Sequence, residues 1–356
     1  MKQKKIRVLT RRRWEYYQNR PAYTFCLLIL VALFSPVTAH AADITEQLHN
    51  PTSKFVPRQA RNEADTLFQI GERQLQQGTP HKAVQQFLAA LETYHYLGDM
   101  RAQGLTYDLL GRAYLELGQY KEAEDAVRRH LAIARNNRDL GTQVFALNNV
   151  GSLLLQKGEF SDAETCFAEA AEIARSLKNI EGEGLSLSNL GLATARLGDY
   201  NKAIKLYETA LTYRRQLGNP VAEANTYNHL GEAYQEIGDY QNTIGAFGVG
   251  LRLAKASRDR VNQFRAIDGL VTAHNSVGRY ERSYELLGER LSLAQELQNP
   301  QEQLQTFESY ALFYEKQGNY KTARNFYERA IIVSRSLEDS KKEVLLLDRL
   351  TQIRKK

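Results

Sequence analysis

Seven glycines stand 40 residues apart along this chain and give it a fixed period. They are Gly78, Gly118, Gly158, Gly198, Gly238, Gly278 and Gly318. A constant spacing of about 20 to 50 residues is the signature of stacked supersecondary units, each of which contacts only its neighbours. We therefore expect an array of repeats rather than one globular core, and an array of this kind usually acts by binding.

Each 40-residue unit begins with a helical pattern. Apolar residues such as Leu147 and Val150 recur three positions apart, which places them on one face of a helix. The next position holds a small residue where two helices would need to approach closely. In the first five units that residue is Gly71, Gly111, Gly151, Gly191 or Gly231. The periodic glycine seven residues later ends the helix, because glycine adopts the left-handed conformation at low cost.

A second helix follows in each unit. A ring stands two residues after the periodic glycine in six of the seven units, and a small residue such as Ala123 follows three positions later. The unit ends on Asp or Asn, whose side-chain oxygen can accept hydrogen bonds from the first turn of the next helix. These expected N-caps are Asp99, Asp139, Asn179, Asn219, Asp259, Asn299 and Asp339. The pattern predicts an all-α solenoid of about seven helical hairpins.

The repeating unit resembles the tetratricopeptide repeat. The motif is represented in the second unit by Leu110, Gly111, Tyr114, Gly118, Tyr120 and Ala123. The units have 40 residues, whereas the usual repeat has about 34. The resemblance implies a right-handed superhelix in which the first helix of each unit lines a concave groove. It also implies that the groove binds an extended peptide or protein segment.

Residues 1–41 have the pattern of an export signal. A basic head precedes an unbroken apolar run from Phe25 to Phe34, and the small-residue pattern Ala39-His40-Ala41 follows. We predict cleavage after Ala41, with an uncleaved membrane anchor and an organellar transit peptide as alternatives. Either a cleaved signal or an anchor would place the repeats outside the cytoplasm, in a periplasm, a lumen or the medium.

The rest of the chain divides into three parts. Residues 42–60 are expected to be a linker, 61–340 the seven repeats, and 341–356 a capping helix with a charged tail. The capping helix is apolar at Val344, Leu345, Leu347, Leu350 and Ile353. A membrane would be contacted only through the N-terminal segment, and only if that segment is not cleaved.

The net charge of +6 belongs to the leader. Residues 1–41 hold eight of the 47 basic residues and one of the 41 acidic ones, which leaves 39 basic and 40 acidic residues elsewhere. We therefore expect no nucleic-acid partner.

The sequence has no HExxH, phosphate-binding Gly-Lys-Ser/Thr or GxSxG motif, and its histidines lack metal-ligand spacing. We expect no enzyme activity, no cofactor and no metal.

Candidate groove residues lie in the first helices, beside the packing Leu and Gly. Asparagine is unfavourable inside a helix unless its amide is used, and its donor and acceptor match the backbone of an extended peptide. The amides predicted to bind peptide backbone are those of Asn148, Asn149, Asn189 and Asn228. The carboxylates predicted to favour basic ligand side chains are Asp108, Glu232, Glu236 and Asp268, and Arg112 and His229 complete the predicted groove. The alternative is that the amides bond between neighbouring helices or face water.

The residues leave three functions open. The prediction is an exported scaffold or adaptor that binds a protein segment in the groove. A ligand-responsive sensor is the alternative, with a hinge in the fifth unit at Gly245, Gly248 and Gly250. A less favoured alternative is a solenoid enzyme acting on envelope polymer, with Glu232, Glu236 and Asp268 as convergent carboxylates.

Overall fold

The computed structural model describes residues 56–354, in which all regular structure is helical. Fifteen helices are present there: α1 (Val56–Gln76), α2 (Pro80–Tyr96), α3 (Met100–Glu116), α4 (Tyr120–Asn136), α5 (Leu140–Lys157), α6 (Phe160–Ser176), α7 (Ile180–Arg196), α8 (Tyr200–Leu217), α9 (Pro220–Glu236), α10 (Tyr240–Ala256), α11 (Arg260–Ser276), α12 (Tyr280–Glu296), α13 (Pro300–Lys316), α14 (Tyr320–Ser336) and α15 (Ser340–Arg354). The predicted signal peptide lies outside the described residues. Helix α1 begins at Val56, so the predicted linker 42–60 extends too far.

The helices form seven hairpins in series. We call α1 with α2 repeat 1, and so on to α13 with α14 as repeat 7. Nearly every helix packs mainly against its neighbours along the chain, and the first helices α5, α7, α9 and α11 also pack directly on one another. The all-α solenoid predicted from the sequence is confirmed. No helix in the described range is long and apolar enough to cross a membrane.

The turns between helices follow the predicted caps. Each periodic glycine has a positive φ, for example 70° at Gly118. The Asp139 carboxylate accepts a hydrogen bond from the Thr142 backbone N–H at 3.0 Å. The other six predicted caps accept equivalent bonds from residues 102, 182, 222, 262, 302 and 342. The helix boundaries are therefore fixed by local sequence.

Within most repeats the two helices interlock through a small residue and a large one. A Cβ atom built on Gly151 would lie 2.6 Å from Cε1 of the Phe167 ring, so no side chain fits there. The same relation joins Gly71 to Phe87, Gly111 to Val127, Gly191 to Tyr207 and Gly231 to Phe247. In repeat 6 the two positions hold Val271 and Leu287, which pack in one apolar cluster. The predicted close approach of the helices is confirmed.

The small residue early in each second helix is fully buried in every repeat. These residues are Ala83, Ala123, Ala163, Ala203, Thr243, Ser283 and Ala323. Helix α15 buries Leu346, Leu350 and Ile353 against the preceding repeat. Its other apolar residues Val344, Leu345 and Leu347 are exposed. The helix therefore packs with one face only, and the fully buried Leu346 was not among the residues predicted.

Candidate functional site

The ten predicted site residues all lie on first helices, from α3 to α11. We call the solvent-facing surface of these helices the first-helix face. Arg112 on α3 and Glu236 at the end of α9 are exposed on this side of the molecule. The remaining eight residues are partly or fully buried, and most of them bond to neighbouring repeats. Their contacts decide which can meet a ligand.

The predicted asparagines join the first helices of successive repeats. Asn148 is 2% exposed. Its Nδ2 donates to the Val144 carbonyl and to Ser186 Oγ, both at 2.8 Å, and its Oδ1 accepts from Asn189 Nδ2 at 2.8 Å. Asn149 Nδ2 donates to Asp108 Oδ1. These bonds connect α3, α5 and α7.

The same kind of contact continues toward the C-terminus. The hydroxyls of Ser188 and Thr226 lie 3.1 Å apart. Asn228, which is fully buried, donates to the Asn262 backbone carbonyl at 3.1 Å and to its side-chain oxygen at 2.9 Å. We call this series of amide and hydroxyl contacts, from Asp108 on α3 to Asn262 on α11, the inter-repeat ladder. It stabilises the array by satisfying most of its buried polar groups, although Oδ1 of Asn228 accepts no hydrogen bond.

Peptide binding by Asn148 and Asn228 stays a prediction, and the contacts of both side chains favour the alternative role. Both side chains are buried and already hydrogen-bonded, so the alternative of bonding between neighbouring helices is what the structure shows. Asn148 and Asn228 have these partners because the first helices of successive repeats pack directly on one another. Asn149 and Asn189 are only partly buried. Since an amide nitrogen carries two hydrogens, each of these can still donate one at the surface.

The predicted acid Asp268 is bound by a buried arginine. Arg290 of α12 is fully buried, and its Nε lies 2.7 Å from Asp268 Oδ1. The guanidinium also donates to Thr306 Oγ at 2.6 Å and to Glu302 Oε2 at 3.0 Å, across the boundary between repeats 6 and 7. It lies 5.0 Å from the Phe264 ring centroid. Asp268 is therefore a structural partner of Arg290, while its side chain is still 38% exposed, so its role toward ligand side chains stays a prediction.

Glu232 is likewise held by an arginine from the next repeat. Arg265 Nε donates to Glu232 Oε1 at 2.6 Å, and its Nη2 donates to Oε2 at 2.7 Å. The His229 ring stacks on Tyr207, with centroids 5.8 Å apart. Arg265 Nη2 is 2.8 Å from His229 Nδ1, which must accept because a guanidinium only donates. Glu232 and Asp268 are therefore each held in an ion pair, Glu232 with Arg265 and Asp268 with Arg290.

The pKa values of this cluster follow from its contacts. Burial alone would raise the pKa of the Glu232 carboxyl, but His229 and Arg265 outweigh that effect and lower the pKa to about 2. Burial lowers the pKa of the His229 imidazole and is the dominant cause, while Glu232 opposes this shift and the nearby Arg265 and Arg196 add to it. Near neutral pH the cluster therefore contains a charged pair and a neutral histidine.

Two cavities open on the first-helix face. One, of about 540 Å³, lies between α7, α9 and α11 and is lined by the His229 cluster with Leu192, Arg196 and Glu236. The other, of about 390 Å³, lies between α1 and α3 and is lined by Phe68, Glu72 and Leu105 among others. In the described range no group of His, Cys, Asp or Glu side chains could hold a metal ion.

An apolar row, missed from the sequence, runs along the first-helix face from the cavity between α1 and α3, which Leu105 lines, toward the other cavity. Leu105 is 51% exposed, Phe145 is 37% exposed and Leu185 is partly exposed. They occupy the same position in repeats 2, 3 and 4, and we call them the apolar row. The sequence could have indicated this row. An apolar residue stands at the same position of three consecutive units, three residues before Asp108 and its equivalents.

Comparisons with known proteins agree with the repeat fold. Three family profiles described as tetratricopeptide repeat match residues 142–216 and 182–256, residues 106–141, and residues 304–335. Together they take in slightly more than half of the chain. A comparison with curated proteins finds no match.

Solved structures share the fold at low sequence identity. RapI in its apo form has a TM-score of 0.60 and 16% identity, and the match covers 78% of this chain and 100% of that one. A Rap protein complexed with competence and sporulation factor has a TM-score of 0.55 and 13% identity, covering 84% and 97%. A signal transduction ATPase with a tetratricopeptide repeat sensor, from Pyrococcus horikoshii, has a TM-score of 0.63 and 19% identity, covering 81% and 46%. From the profiles and from the hairpins that continue through residues 56–336, we conclude that this chain contains an array of tetratricopeptide repeats.

Proposed function

We propose that this protein is an exported scaffold that binds an extended protein segment along its first-helix face. The apolar row carries the proposal. Leu105 and Phe145 are solvent-exposed, and they occupy the same position in consecutive repeats as the partly exposed Leu185. An aligned set of exposed apolar side chains on a repeat surface is characteristic of a protein-binding site.

The bound segment would contact more than the apolar row. The two cavities flank the row and offer space for larger side chains near its ends. Arg112 and Glu236 remain exposed on the same face, so they keep the predicted role of contacting charged groups of the ligand. Asn149 and Asn189 stand beside the row with a hydrogen available to a peptide carbonyl.

The test is capture from the envelope fraction of the native host. The double variant Leu105→Ser and Phe145→Ser should lose partners that the unchanged chain retains. The matched control is Ile332→Ser, which changes an apolar residue of α14 that is 66% exposed on a second helix. Helicity measured by circular dichroism should be the same in all three chains, because none of these side chains is buried.

Two outcomes would contradict the binding site. Partners retained by the double variant would move the binding surface away from the apolar row. Partners lost equally from the Ile332→Ser chain would show that general surface polarity, rather than this row, determines the capture.

Export is the second part of the proposal. The basic head, the apolar run and the small-residue pattern before Ala42 support it. We expect the mature chain to begin at Ala42 and to be released with the periplasmic or luminal contents. Mass spectrometry of the native protein gives its first residue, and fractionation gives its compartment. A full-length chain recovered with the cytoplasm would contradict export without affecting the binding site.

A further inference from the structure

We infer that the segment bound along the first-helix face adopts a polyproline II conformation and presents an apolar side chain at every third residue. This inference rests on the proposed function, since it specifies the ligand of the same surface. It follows from the spacing of the apolar row and from the uncharged groups beside it.

The spacing of the row is set by helix packing. Leu105, Phe145 and Leu185 occupy equivalent positions on α3, α5 and α7, so each step along the row is one step between neighbouring first helices. Packed helices stand about 8 to 10 Å apart. Direct bonds from Asn149 of α5 to Asp108 of α3, and from Asn148 of α5 to Ser186 of α7 at 2.8 Å, show that these first helices are in contact. A ligand that contacts every repeat must therefore place one side chain about every 9 Å.

A polyproline II helix meets this requirement. It has three residues per turn and rises about 3.1 Å per residue, so side chains three residues apart lie on one face about 9 Å from each other. A β-strand points its third residue to the opposite face, because its side chains alternate. Its second and fourth residues share a face, but they lie about 7 and 13 Å along the strand. An α-helix rises only about 1.5 Å per residue, so six residues would be needed to cover about 9 Å. A side chain six residues further along points away from the row.

The surroundings of the row suit such a ligand. Asn149, Ser152 and Asn189 line the first-helix face of α5 and α7, and all three are uncharged. A polyproline II segment makes no internal hydrogen bonds, so its carbonyls are available to the asparagine amides. Charged side chains stand mainly toward the ends, at Glu72 in one cavity and Arg196 in the other. The ligand should therefore be uncharged over its middle, with at least about seven residues to span three apolar contacts.

The test compares three synthetic peptides of equal composition. Each has about twelve residues, blocked ends, and three leucines in a background of proline, alanine and glutamine. The leucines stand at every second, every third or every fourth residue. Fluorescence anisotropy with the full-length chain should give at least about tenfold tighter binding for the every-third peptide, a difference that one well-placed apolar contact can supply. Replacing its prolines by glycine should weaken binding, because the free peptide then loses its preformed conformation.

The controls separate this inference from the proposed function. Phe145→Ser should abolish the preference for the every-third peptide, whereas Ile332→Ser should leave it unchanged. Equal affinity for the three spacings, with a loss in Phe145→Ser, would overturn the polyproline II inference and keep the groove. Tighter binding of the every-second peptide would indicate a β-strand ligand and would also overturn it. No binding of any peptide, with native partners retained by the Leu105→Ser and Phe145→Ser double variant, would overturn both.

Discussion

The contact between repeats 3 and 4 differs in kind from the contact between repeats 6 and 7. In the first, neutral amides and hydroxyls such as those of Asn148 and Ser186 join first helix to first helix. In the second, one buried guanidinium, that of Arg290, bridges Asp268 of repeat 6 and Glu302 of repeat 7. An aromatic cluster including Tyr284 and Tyr310 packs beside it.

This difference shows how one repeat can be built on two kinds of polar contact. The residue at the position of Arg290 is Ala170, Ala210 or Gly250 in the three preceding repeats. A small residue there leaves room for an asparagine or serine on the facing first helix, and the ladder then supplies the inter-repeat bonds. In repeat 6 the large Arg290 stands at this position and supplies the bonds between repeats itself, and its partner on the first helix is the acid Asp268.

The largest effect should come from Arg290→Met. Removal of the guanidinium leaves Asp268 and Glu302 facing each other without their cation, which should lower the free energy of unfolding by about 3 kcal/mol. Chemical denaturation followed by circular dichroism measures the loss. The control is Arg282→Met, which breaks an exposed pair with Glu285 and should cost under about 0.5 kcal/mol. If Arg290→Met lowered the free energy of unfolding no more than the small loss expected for Arg282→Met, the buried network would add no stability.

Gly151→Ala tests the hairpin contact of the ladder region. The new Cβ would lie 2.6 Å from the Phe167 ring, and overpacking of this kind should cost about 1 to 3 kcal/mol. Adding Phe167→Leu should recover part of the loss, because repeat 6 holds Val271 opposite Leu287. A double-mutant cycle measures the coupling between the two positions. Additive losses would mean that the glycine and the ring act independently.

Asn148→Ala and Asn189→Ala compare two members of the ladder. Asn148 uses both its donor and its acceptor in a buried place, so its loss should cost about 1 to 3 kcal/mol. Asn189 is partly exposed, so Asn189→Ala should lower the free energy of unfolding clearly less. Hydrogen exchange should show faster opening of α5 and α7 in Asn148→Ala. The reverse order of the two losses would contradict the structural role assigned to Asn148.

Acid should weaken the junction of repeats 5 and 6. The folded pKa of His229 is lowered from its ordinary value near 6.5, so the folded state favours the neutral ring. Above that pH the full stability is present. As the pH falls below 6.5, the unfolded chain takes up a proton that the folded chain resists, and stability decreases by at most about 1.4 kcal/mol per pH unit. Denaturation at pH 7.5 and 5.5 should show a smaller difference in His229→Gln, and an unchanged difference would exclude His229 as its source.

The smallest effects should come from two glycines of α10. A Cβ on Gly248 would meet nothing within 4 Å, so Gly248→Ala should stabilise the chain by up to about 1 kcal/mol of helix propensity. Gly250→Ala should destabilise it, because its Cβ would lie 2.6 Å from Oδ1 of the buried Asn228. Thermal unfolding measures both shifts. If Gly248 serves a hinge, its replacement should also reduce any ligand-induced change in small-angle scattering.

Much of the fold could be predicted from local patterns. The periodic glycine and the caps, such as Asp139, act on residues a few positions away, so their consequences can be read from the sequence. The glycine at positions such as Gly151 correctly indicated a close approach. The ring that fills this space, Phe167, stands 16 residues later and was not paired with it from the sequence.

The candidate site was predicted less well because it depends on contacts between repeats. Asn148 and Asn228 looked like groove residues, since a single unit does not reveal that the next first helix packs over them. The pairing of Arg290 with Asp268, which lies 22 residues before it, was not predicted from the sequence. Leu105 and Phe145 were passed over because polar residues were sought, whereas the exposed residues of this face are partly apolar.

Asp108 accepts its ladder bond from Asn149, and Asn189 is the equivalent of Asn149 one repeat later. If residues 140–179 were deleted, α4 would lead directly into α7, and Asp108 would face an asparagine again. Whole units can therefore be lost or duplicated in this part of the gene with the chemistry of the junction preserved. Arg290 has no such substitute, because the position of Glu302 is taken by Asn262, Ala222 and Gly182 in the three preceding repeats. We therefore expect the loss of one unit to be tolerated better in the N-terminal half of the array than near its C-terminal end.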